Sequence, residues 1–85
     1  MSQDKQFAQL IFLFHATAMQ AMGKIKNPVT EKIERNLNQA KEAIDMLGML
    51  KEKTKNNLSA EESKMLDFTL SELRLNFVDE QSKGN

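Results

Sequence analysis

Residues 30–54 read TEKIERNLNQAKEAIDMLGMLKEKT, and this stretch decides the fold class. At 100° per residue, Ile33, Leu37, Ala40, Ile44 and Leu47 fall within an arc of about 80°. Their 4-3-4-3 spacing is that of a coiled-coil seam, while Glu31, Glu34, Arg35, Lys41, Glu42, Asp45 and Glu52 occupy the rest of the circumference. The pattern predicts a helix over 30–54, a rod of roughly 36 Å. Thr30 is its expected N-cap, with Glu31 and Glu34 close to the positive helix end. Lys51, Lys53 and Lys55 gather where the dipole favours cations.

The same arithmetic extends to both sides. Downstream, Ser59-Ala60-Glu61-Glu62 has the form of a capping box and opens a helix over 59–80. Leu66, Leu70, Leu73 and Phe77 repeat the 4-3-4 seam. Phe68 and Leu75 lie about 180° away from it, so this helix has two apolar faces. Upstream, no charged residue occurs from Gln6 to Gly23. On a helix over 3–22 the apolar residues, Phe12 among them, sweep more than about 200°, which calls for more than one packing neighbour. Gly23-Lys24-Ile25-Lys26-Asn27-Pro28 and Lys53-Thr54-Lys55-Asn56-Asn57-Leu58-Ser59 are the two interruptions. Residues 81–85 form a polar tail expected to fray.

Composition narrows the class further. The chain has 85 residues, 12 basic and 12 acidic, with no Cys, one His and one Pro. Net charge zero removes any global field toward nucleic acid or anionic lipid. Absence of Cys excludes a disulfide framework and thiolate zinc, and a single His leaves zinc short of ligands. A folded monomer of this size exposes roughly 5,000 Å², a thin margin for independent folding, and short chains of this kind often gain stability by association. The uncharged run is barely long enough to span a bilayer, and its three Gln and His15 disfavour lipid; Asp4 and Gln9 spoil a signal-peptide pattern. The expected compartment is the cytoplasm.

Several stretches together resemble a known family. They are Asn27-Pro28-Val29-Thr30, Asn36-Leu37, Ala40-Lys41, Ile44-Asp45-Met46-Leu47, Lys53-Thr54-Lys55-Asn56-Asn57-Leu58, Glu61-Glu62 and Leu73-Arg74. The chain resembles, from about Phe7 to Phe77, the small bacterial family called domain of unknown function 1844. The resemblance implies an all-helical, cytoplasmic bacterial protein and supplies no activity or catalytic residue. Glu31 and Asn56 stand where the family is expected to carry Gly. Asn56 can take the left-handed conformation that Gly takes after a helix. Glu31 in place of Gly suggests a second helix that starts earlier or more firmly.

No motif for enzymatic chemistry is present: no phosphate loop, nucleophile elbow or metal-binding helix pattern. His15 is the one side chain suited to acid–base work at neutral pH, and its place between Ile11 and Met19 reads as structural or interfacial. Glu61 and Glu62 are accounted for as helix-start carboxylates. The expected fold is therefore all-α, three helices joined by short turns. The second and third form an antiparallel hairpin, and self-association as a two-fold dimer is expected to complete the bundle. The expected function is a non-enzymatic protein–protein interaction or scaffold module acting as a homo-oligomer, with Phe12, Met46, Met49, Phe68 and Leu75 as candidate interaction surface. No cofactor or metal site is assigned. The alternatives are a nucleic-acid-associated module using the Lys51–Asn57 turn, and peripheral membrane association through the first helix.

Overall fold

Three helices carry the chain, and each begins or ends on a side-chain or glycine device visible in its residues. The computed structural model describes residues 2–84, with side chains described for 5–84. α1 spans Ser2–Ala21, α2 Leu37–Lys53 and α3 Ala60–Ser82. α1 stops because Gly23 adopts φ +80°, which lets the Lys24 N–H reach the Met19 carbonyl (2.9 Å) and the Gly23 N–H reach the Gln20 carbonyl (3.0 Å). That pair of bonds is a Schellman motif, and a residue without Cβ suits its left-handed position. α3 opens with the expected capping box: the Ser59 hydroxyl accepts from the Glu62 N–H, and the Glu62 carboxylate accepts from the Ser59 N–H.

The helices run up, down and up. Met22 forms a single antiparallel bridge with Arg35, so α2 returns along α1. Lys51 pairs with Asp67 at 2.9 Å, which sets α3 antiparallel to α2. Every helix touches the other two. The core is built from one seam of each: Ile11 and Ala18 from α1 with Met22 just beyond its end, Ala40, Ile44 and Leu47 from α2, and Leu66, Leu70 and Leu73 from α3. Phe7, Phe14, Leu37, Leu50 and Phe77 pack around it, half-buried. Burying each Leu of this set contributes about 1.5–3 kcal/mol, so the hairpin seams read from the sequence supply most of the cohesion.

The second helix departs from its expected start. It begins at Leu37, with Asn36 as N-cap accepting from the Gln39 N–H at 3.1 Å, and Thr30 is not the cap. Residues 22–36 instead form a long connection where a short turn was expected. Asn27 organises it: its side-chain oxygen accepts from the Val29 N–H (2.8 Å), its carbonyl from the Glu31 N–H (2.7 Å), and its own N–H donates to Lys32 (2.9 Å). Pro28 follows directly, where a preset φ suits a turn. Local turn bonding by Asn and Thr thus outcompetes the helical pattern of 30–36. Ile33 consequently leaves the seam and is 56% exposed. Glu34 sits beside the Asn27 amide (3.3 Å) and not at a helix end.

Two of the family-like positions find their cause here. Asn56 has φ +70°, as its reading as a Gly substitute requires. Glu31 has φ +60°, so it also occupies a glycine-type position and does not start a helix. A β-carbon in that region costs roughly 1–2 kcal/mol. At the far end α3 runs two residues beyond 80, with the Ser82 hydroxyl donating to Asp79 and the Lys83 ammonium pairing with Asp79 and Glu80. Residues 81 and 82, expected in the tail, are therefore helical, and Asn85 lies outside the described residues.

One carboxylate ties the connection to the bundle. Glu80 is buried, and its oxygens meet Lys24 (2.8 Å), Arg35 (3.1 Å) and Lys83 (3.2 Å), while its backbone carbonyl accepts from the Arg35 guanidinium (2.8 Å). Hydrogen bonds from Lys24, then Lys83 and Arg35, hold the Glu80 carboxyl down to about 2 against an ordinary 4.5, although burial pushes the other way. A depressed carboxyl stabilises the fold above its unfolded value and loses that contribution as pH falls toward the folded one. The thermal midpoint should therefore drop between pH 4.5 and about 2. Glu80→Gln should have a lower midpoint at neutral pH and a shallower fall in that window; equal slopes in wild type and variant would remove Glu80 as the anchor. Glu31→Gly should raise the unfolding free energy by about 1 kcal/mol, the strain relieved less the extra glycine entropy, as read from urea titration.

Candidate functional site

The surplus apolar surface read from the sequence is present, and the structure distributes it over two faces. Phe12, Phe68 and Leu75 are 67%, 70% and 74% exposed. Phe12 stands on the wall of an open groove of about 780 Å³ between α1 and α3, facing Met65 and Thr69 across it. Phe68 and Leu75 project from the back of α3, within one helical step of that wall. Met46 and Met49 are also exposed, but they belong to α2. Met46 lines a separate hollow of about 450 Å³ with Phe14, Thr17 and Ala43. The five residues are thus exposed together without forming one patch.

His15 is interfacial. Its Nε2 lies 3.3 Å from the Glu72 carboxylate across the α1–α3 groove, and its ring stacks on Phe12 with centroids 6.4 Å apart. The partner Glu72 was not legible beforehand, because it depends on the register of α3 along α1. The Lys-rich turn is partly committed within the chain: Lys51 pairs with Asp67, whereas Lys53 and Lys55 are exposed in and just beyond the last turn of α2. Asp45, expected on a solvated face, pairs there with Lys41 at 3.0 Å.

Sequence reasoning missed six further exposed apolar residues: Leu10, Leu13, Ile25, Val29, Ile33 and Val78. Leu13 had a signal, since it falls on the polar side of α1 among Gln9, Thr17 and Gln20. Val78 lies three residues beyond Leu75 and widens the α3 face. Val29 and Ile33 lacked one, because their exposure follows from the folding of 22–36 as a turn. Among the described residues no group of three or more His, Cys, Asp or Glu is placed to hold a metal ion. No helix among them is long and apolar enough to cross a membrane.

Comparison with known proteins brings these features to a family. No curated protein and no solved structure matches the chain. The family described as domain of unknown function (DUF1844) matches residues 4–80, from the second residue pair of α1 to the buried Glu80 of α3. With nearly the whole chain covered, the protein belongs to that family.

Proposed function

We propose that the protein is a non-enzymatic interaction module that works as a homo-oligomer. The observation that carries this reading is area. The chain exposes 6091 Å², about 1,000 Å² more than the roughly 5,000 Å² expected of a folded monomer of its mass. A stable interface removes about 800 Å² from each partner, so the surplus is of the right size. Its composition supports the same conclusion, because Phe12, Phe68, Leu75 and Val78 are large apolar groups and scattered single exposures do not usually reach this density on one small chain. The pairing of Lys51 with Asp67 weighs against the alternative in which that turn holds nucleic-acid phosphates.

Sedimentation velocity across the micromolar range tests the reading. Wild type should sediment as a dimer, and Phe68→Asp should shift it toward monomer with the helical circular dichroism retained. Because Phe68 is outside the core, the substitution should change the intrinsic stability of the monomer by no more than about 0.5 kcal/mol. A wild-type chain that stays monomeric throughout the range removes the basis of the proposal.

A further inference from the structure

We infer that α3 packs antiparallel against α3 of a second copy, about a two-fold axis that passes between the two helices at the level of Ser71 and Glu72. This rests on the homo-oligomer reading above and adds to it the face, the orientation and the register. The outward side of α3 carries Glu61, Lys64, Phe68, Ser71, Leu75, Val78 and Ser82, at alternating spacings of three and four. That is a second seam, opposite the one that faces the core, and all of these residues are exposed. Phe68 and Leu75 lie at equal distances on either side of the Ser71–Glu72 midpoint. A two-fold axis there sets Phe68 of each copy opposite Leu75 of the other, so the face is complementary to itself.

Charge decides the orientation. In the antiparallel register Lys64 comes opposite Asp79, at both ends of the seam. Lys64 has no ion-pair partner among the described residues, and Asp79 is held only by the exposed Lys83 at 3.4 Å. A parallel pair would instead set Lys64 against Lys64, Asp79 against Asp79 and Glu61 against Glu61, and would align the two helix dipoles. Ser71, small and beside the axis, allows close approach. The one like-charge contact near the axis involves Glu72 of each copy. His15, 3.3 Å away, draws that carboxylate toward α1 and out of the seam. Phe12, stacked on His15, then lies on the same edge of the pair in both copies and extends the apolar contact beyond α3.

The chain has no cysteine, so single cysteines map the contact directly. For helices about 9 Å apart, Ser71 meets its symmetry mate at a Cα separation of about 6 Å, within disulfide range. Ser71→Cys should therefore form a covalent dimer on mild oxidation. Lys64→Cys alone should not, since its two copies stand about 22 Å apart along the axis. A mixture of Lys64→Cys and Asp79→Cys chains should cross-link. In solution Lys64→Asp should weaken dimerisation several-fold, and the swap Lys64→Asp with Asp79→Lys should restore it. Cross-linking of Lys64→Cys to itself means a parallel pair and overturns the inference. A wild-type dimer in which neither Ser71→Cys nor the mixture cross-links places the interface elsewhere, overturning the register while sparing the homo-oligomer reading. A wild-type monomer removes both.

Discussion

Met22, Leu47, Leu66, Leu70 and Leu73 are the largest side chains wholly withdrawn from water, and the geometry of the molecule follows from their contact. They come from α2, from α3 and from the residue that directly follows α1, and every helix packs against the other two. Once they are buried, each helix has one face inside and the remainder outside. α3 has two apolar faces but only one core to enter, and Phe68 and Leu75 are left in solvent by necessity. The exposed surface is therefore a consequence of the core and not an independent feature.

A second constraint acts at the C-terminal ends of α1 and α3. The connection 22–36 has few apolar groups inside, and polar contacts hold it: the Asn27 turn, the Asn36 N–H on the Ala21 carbonyl (2.7 Å), and Arg35 on Glu80. Glu80 gathers three cations, Lys24 and Arg35 from the connection and Lys83 from just past the end of its own helix. A buried carboxylate with those partners is costly to strip of any one of them, because the charge left behind would be uncompensated. The continuation of α3 past residue 80 brings its C-cap, Lys83, to that cluster.

The two glycine-type positions show how local backbone conformation carries a family's pattern. Asn56 and Glu31 both adopt positive φ. Asn tolerates that region because its short amide bonds locally, whereas Glu has no such compensation. The turn containing Glu31 is held by the Asn27 bonds on either side of it, which over-determine the conformation. The family match over 4–80 spans both turns, so their geometry belongs to the fold as much as the seams do.

Much of this was legible in the residues. Periodicity marked the seams of α2 and α3, the capping box marked the start of α3, and Phe68 and Leu75 were recognisable as a second face, because each of these depends on neighbours within about one helical turn. The start of α2 was misread for the same reason in reverse: residues 30–36 carry a helical pattern, yet Asn27 and Asn36 offer the backbone better local partners, and Ile33 is drawn out of the seam. The convergence of Lys24 and Arg35 on Glu80, and the meeting of His15 with Glu72, were beyond any local pattern. Those contacts join positions far apart along the chain, and only the docking of three helices in one register brings their charges within reach.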